Sequence, residues 1–303
     1  MPLATDRGSS PAGFLAVLGA AARGALQWRV LLLWLLASWV PTLLLVLPLW
    51  RSFAGRIDHA VHAAQWAQNA DIVFLSVLIG RTLRLDGDAL AGSGIAATAV
   101  LIALIPLLNA MLVTASRGPA GRALGFAALL QGALNEYGPM LRLMIWALLP
   151  LGVAAGLGAV AMRGAHRYEQ GAVLASDADL ASWAAIALVV VLLMVALASI
   201  DAARARLAFD PYKRSAIKAW WRGLRLLLAQ PLRVLGFFFT LTILGMVLAA
   251  ALALARAGLS AASYPGFVAG LVLVQLIVLV TAWMHFARLL ALLAQTRLRA
   301  AAG

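Results

Sequence analysis

The chain has 303 residues, 64% of them hydrophobic, with a mean hydropathy of +0.96 and a formal charge of +13. Soluble domains are about 45–50% apolar, so lipid must solvate the excess and a water-soluble globule is excluded. With no cysteine, disulfides, thiolate metal sites and cysteine nucleophiles are excluded as well. The charge is almost all arginine, Lys213 and Lys218 being the two lysines. In so apolar a chain it points to cationic loops against anionic lipid, not to nucleic acid.

From Pro11 to Trp28, Phe14, Val17, Leu18, Ala21, Ala25 and Trp28 recur at helical spacing, predicting an amphipathic helix lying on the membrane. The run behind it, Val30 to Trp50, is uncharged over 21 residues. That is too long for a cleavable signal and long enough, at about 1.5 Å per residue, to cross a core of roughly 30 Å. Pro41 and Pro48 are candidate kinks. A polar segment, 51–92, follows, with a helix expected over Phe53–Asn69 and a short apolar run, Ile72–Ile79, expected at the interface.

The second span is predicted over Ile95–Thr114, followed by a basic turn with Arg117 and Arg122. Leu124–Gly138 is amphipathic and feeds a third span, Met140–Met162, where Gly152, Gly156 and Gly158 invite close packing. After a loop over 163–180, Ser176 and Asp179 read as a capping box for the fourth span, Leu180–Ile200. Asp210-Pro211 reads as a cap and first-turn proline for a helix over 211–229. The fifth span is Leu232–Leu254. The sixth is Phe267–Phe286, its helix running on towards Arg299.

Charge orients these spans. One set of segments carries seventeen cations and four acids; the alternate set carries seven of each. The stretch from Arg204 to Arg233 alone holds eight cations against Asp210. By the positive-inside bias, both termini are expected in the cytoplasm of a bacterial inner membrane. The expected fold is an all-α polytopic membrane protein, a single domain over 1–303, with six transmembrane helices and cytoplasmic amphipathic interfacial helices.

A threefold internal repeat is suggested, with units 11–117, 124–206 and 211–299. Gly19, Gly132 and Gly223 each precede an arginine (Arg29, Arg142, Arg233) by ten residues. Asp201-Ala-Ala-Arg204 matches His285-Phe-Ala-Arg288, with Asn109 at the like place in the second span. The alternative is that any helix rising from the cytoplasm tends to carry arginine and glycine at its edge.

Trp220-Trp221-Arg222-Gly223-Leu224-Arg225, Gln230-Pro231-Leu232 and the preceding Ala205-Arg206-Leu207 give an amphipathic helix and then a proline leading into a span. Over the last third of the chain this resembles bacterial six-helix inner-membrane families, including the membrane domain beside some glycerophosphodiester phosphodiesterases. The chain has no hydrolase domain, so the resemblance does not imply that activity.

Three groups are candidate sites. Arg214, Lys218, Arg222 and Arg225 run down one face of the basic helix, opposite Ile217, Trp220, Trp221, Leu224, Leu227 and Leu228. This suits anionic phospholipid headgroups, or alternatively serves topology alone. His59 and His62, with His166 and Glu169 in the next outer loop, could share a transition metal, or form ordinary wet helix faces. Asp201 and His285, with Asn109 nearby in pattern, could relay protons, or could pair with Arg204 and Arg288 in the headgroup layer. No phosphate loop, nucleophile elbow or HExxH is present, and no cofactor is expected. The expected function is an accessory or scaffold role with a membrane-protein partner. Transport or lipid handling is the alternative, and an outer-face metal-dependent enzyme a further one.

Overall fold

A computed structural model describes residues 13–57, 72–118, 124–171, 175–210, 212, 215–259 and 264–302. They form α1 (Phe14–Gly24), α2 (Trp28–Ile57), α3 (Ile72–Ser116), α4 (Phe126–Gly171), α5 (Ala175–Phe209), α6 (Ala216–Ala229), α7 (Pro231–Ala257) and α8 (Tyr264–Ala302). The described residues contain no strand. Six helices are long and apolar enough to cross a membrane, and only 11–28% of each apolar window is buried within the protein. Exposed Leu44, Val46, Leu148, Val160, Val191 and Val247 therefore need lipid around them. The protein is an all-α, multi-pass integral membrane protein.

The helices run further than hydropathy marks. The third span and the amphipathic segment before it are one helix, α4, which also absorbs the beginning of the expected loop at 163–180. Backbone in or near lipid satisfies its own hydrogen bonds best by staying helical, and Pro139 and Pro150 lie inside α4 without ending it. Ser176 is inside α5, not its cap, because that helix already begins at Ala175. Ile72–Ile79 joins the second span in α3, across a kink at Asp86 (φ −118°, ψ 16°). The helix expected over Phe53–Asn69 continues α2 to Ile57, and its remainder lies outside the described residues.

Backbone packing divides the chain into two units. The smaller comprises Trp28–Leu108 and Gly245–Ala282. Within it the Trp39 indole donates to Gln275 Oε1 at 3.0 Å, and the Arg256 guanidinium lies against Gly270.

The larger unit comprises Met1–Gln27, Asn109–Leu244 and Trp283–Gly303. Its core is rich in small residues. Ala110, Ala198, Ala202, Ala203, Ala205, Ala287 and Ala291 are fully buried, with Phe237, Phe238 and Phe286 filling between them. Small side chains let backbones approach, the main source of helix association where hydrophobic driving force is weak.

Three amphipathic segments dock here, each with a glycine at the contact. α1 lies on α8, where Gly24 meets Leu290 and the Trp283 indole donates to Ala22 O at 2.9 Å. The first turns of α4 lie on the end of α3, where Gly132 meets Thr114. α6 lies on α5, where a Cβ on Gly223 would stand 2.7 Å from Ala203 N, and the Trp220 indole donates to Ser199 Oγ at 3.1 Å. Arg117 adds a lock. Its Nη1 donates to Glu136 at 2.8 Å, and its Nε and Nη2 reach Ala208 O and Leu207 O at 3.0 and 2.6 Å. These two carbonyls belong to the last turn of α5, which has no further helical donors.

Of the three glycines expected to thin the third span, only Gly158 meets a neighbour, Val189 of α5. Gly152 and Gly156 face open space.

Gly223→Ala should destabilise the protein by about 1–3 kcal/mol, because the clash is with backbone that cannot turn aside. Gly19→Ala, whose Cβ would meet nothing within 4 Å, should be neutral or stabilising by up to about 1 kcal/mol. Thermal unfolding of both variants in one detergent checks the contrast.

Candidate functional site

α5 places Asp201 and Arg204 one turn apart, and α8 does the same with His285 and Arg288. Helical spacing puts each pair on one face, and the faces meet. Asp201 Oδ1 accepts from Arg204 Nη1 at 2.5 Å, and Arg288 Nε lies 3.2 Å from Oδ2. That second contact is an ion pair without hydrogen-bond alignment, since Arg288 Nε has no acceptor. Arg288 Nη1 instead donates to Thr242 Oγ1 at 3.1 Å, and Thr242 donates on to Phe238 O at 2.6 Å. The guanidinium lies 4.7 Å from the centre of the Phe238 ring, as in a cation–π contact. Asp201 and Arg288 are both buried. Asn109 is buried at the end of α3.

Of the two sequence readings of Asp201, the ionic one has the stronger geometry. A carboxylate held by two guanidinium groups is a poor proton acceptor, because both favour its ionised form. Pairing alone is no proof of net stabilisation, but removing one member strands the others in a buried place.

The basic helix differs from its expected form. It begins at Ala216, not Pro211: the chain leaves α5 at Asp210, whose carboxylate accepts the Tyr212 N–H at 3.2 Å. That local bond competes with helix continuation. Arg214 lies outside the described residues. Lys218 and Arg225 are exposed, and Arg222 is half-buried. The apolar side is divided. Ala216, Ala219, Gly223, Leu226 and Leu227 are buried against protein, while Ile217, Trp221 and Leu228 remain exposed at 52%, 55% and 71%. The helix thus has one face for α5 and a separate stripe for lipid.

Beside its first turn lies a groove of about 790 Å³, lined by Arg142, Ile145, Trp146, Leu148 and Leu149 of α4 and by Ser215, Ala216 and Ile217. Trp146 packs edge-on against Trp220 at 5.7 Å. Its indole Nε1 is buried without a partner. Ser215 occupies the cap position without a side-chain cap bond. The groove therefore combines apolar walls with a cation and uncapped backbone donors. In the sequence, Arg142 stands only as a landmark of the suggested repeat, and Trp146 lies four residues on. Their spacing of four, with Ile145 and Leu149 alternating on the same side, was the available signal.

At the opposite end of α4, His166 Nδ1 and Glu169 Oε2 are 3.2 Å apart, and Ser182 donates to the other Glu169 oxygen. His59 and His62 lie outside the described residues. The structure thus brings together two of the four residues suggested as a metal set, with one carboxylate oxygen already engaged.

Asp201→Ala should cost about 3–5 kcal/mol of stability by stranding two arginines, one of them fully enclosed. Arg204→Met should cost much less, since the Arg204 side chain is 25% exposed and Asp201 keeps Arg288. Denaturation midpoints in matched detergent give the order.

No protein-family model, curated protein or solved structure matches this chain.

Proposed function

We propose that this is a bacterial inner-membrane protein of accessory character that holds an anionic phospholipid at its cytoplasmic face. The observation that carries the reading is the groove beside α6. Its volume falls within the roughly 300–1,000 Å³ of small-molecule sites. Ile145, Leu148, Leu149 and Ile217 suit an acyl chain, at about 0.8 kcal/mol for each buried methylene. Arg142 and the uncapped first turn of α6 suit a phosphate at its mouth. Lys218, Arg222 and Arg225 add about 1 kcal/mol each on an anionic leaflet.

The orientation rests on charge. Seventeen cations and four acids fall on the side that carries α1 and α6, which the positive-inside bias assigns to the cytoplasm. The docking of each amphipathic segment on the returning helix of the preceding segment supports reading the chain as three related units, α1 on α8 closing the series. Transport by proton relay has less support, because Asp201 is held by two arginines.

Native mass spectrometry of the protein in mild detergent tests the lipid reading. Wild type should retain an anionic phospholipid. Leu149→Trp, which fills the groove, and Arg142→Glu, which reverses its cation, should each reduce retention several-fold. Leu254→Trp, at a lipid-exposed position elsewhere, should not. Equal retention in all four proteins would exclude the groove as the site. For orientation, a periplasmic reporter fused after Ala302 should be inactive; activity there would invert the topology.

A further inference from the structure

We propose that the protein has a second anionic-phospholipid site, between α7 and α1, and that Phe14 of α1 holds its acyl-chain place as a displaceable cover. The proposal rests on reading the groove beside α6 as a lipid site, because the two places are built alike. In α4, Arg142 stands one turn before Trp146, and the first turn of α6 faces them across the groove. In α7, Arg233 stands one turn before Phe237, and Phe14, in the first turn of α1, lies against Phe237. Each aromatic ring meets a ring of the amphipathic helix beside it, Trp146 with Trp220 at 5.7 Å and Phe237 with Phe14 at 4.4 Å. Arg142 and Arg233 are both exposed.

The two places differ at the residue before the aromatic. Before Trp146 stands Ile145, a wall of the groove. Before Phe237 stands Gly236, and the Phe14 ring lies over it, 3.2 and 3.4 Å from where a Cβ would be. The rings of Phe14 and Phe237 are 12° from parallel. Space that is open at the first place is filled at the second by the chain's own side chain. Phe237 is only 1% exposed under this cover, whereas Phe14 is 37% exposed. Phe14 thus does what a hydrocarbon chain would do there, keeping an apolar floor from water.

The cover is held unevenly. Val17, Ala21 and Ala25 are buried, the Trp283 indole holds Ala22 O at 2.9 Å, and Gly24 meets Leu290. Ahead of Val17, residues 13–16 are all exposed. First-turn N–H groups have no helical acceptor, so a first turn opens at lower cost than the packed turns behind it. α1 can therefore lift at Phe14 while staying docked through Ala22 and Gly24. Lifting uncovers Gly236 and Phe237 beside the exposed cation Arg233, an apolar floor with a positive charge at its edge. That pairing suits an acyl chain and the phosphate it hangs from.

The test uses the full chain in mild detergent, with native mass spectrometry to count retained lipid. Dioleoyl phosphatidylglycerol is the probe and dioleoyl phosphatidylcholine the control. Phe14→Ala should retain one more molecule of the anionic probe than wild type, and no more of the control. Adding Arg233→Glu to Phe14→Ala should remove the extra molecule, and so should adding Gly236→Leu, which refills the place from α7. An α1 that had merely come loose would gather lipid regardless of either change. Phe14→Val, a smaller cut, should give the same gain at lower occupancy, and serves where Phe14→Ala folds poorly. The gain should persist when Leu149→Trp fills the groove. A gain there, with no retention by wild type, would keep the second site and strike out the groove. No gain in either Phe14 variant overturns the second site; lipid held by wild type and lost in Leu149→Trp would then still leave the groove standing. An equal gain of phosphatidylcholine, or an extra molecule that survives both added changes, also overturns the proposal.

Discussion

The packing of the basic helix depends on one contact, Gly223 of α6 pressed against the backbone of α5 at Ala202 and Ala203. At Gly223 the approach leaves no room for a methyl group. Such an approach is possible only between small residues, and it fixes rotation as well as distance. With α6 held on α5, Trp220 reaches Ser199 and Trp146 meets Trp220. The wall that α6 gives the groove follows from that one crossing. A glycine also stands at the contact of α1 with α8 and of α4 with α3, there against the side chains of Leu290 and Thr114.

Much of this could be read from sequence, and the part that could not has a physical reason. Hydropathy located six spans because lipid permits little choice over some twenty residues. It did not locate their ends. The polar residues between Arg163 and Gly171 resemble a loop, yet helix is the cheapest way to satisfy their backbone, and α4 runs through them. Asp210-Pro211 resembled a helix start, but an aspartate can bond its own chain two residues on, and here it does. The basic helix looked like a surface helix with a single apolar face. Sequence cannot say which apolar residues face lipid and which face protein, because both are apolar. Here Ala216, Ala219, Gly223, Leu226 and Leu227 are buried against protein, while Ile217, Trp221 and Leu228 face outward. The groove was hidden for the same reason, since its walls come from α4 and α6, remote in sequence.

The charge pattern also gains meaning from packing. Positive charge on one side of a membrane protein is usually read as an orientation signal. Here several of those arginines have structural work. Arg117 closes the end of α5 and pairs with Glu136, while Arg204 and Arg288 enclose Asp201. Arginine suits this because its fork can satisfy a carboxylate and a carbonyl together, which lysine's single ammonium cannot do in the same geometry. That fits a chain with only two lysines.

Once those pairs are made, the remaining cations are unevenly placed. Lys218 and Arg225 are exposed and can be neutralised by any nearby headgroup. Arg206 is different, because its enclosed nitrogen is shielded from solvent and from mobile counter-ions. A cation signalling orientation alone would be placed where water solvates it at no cost. Arg206, half-buried with one nitrogen enclosed, carries a desolvation cost that the exposed cations do not, and the close packing of α6 on α5 is what keeps water from that end of α5.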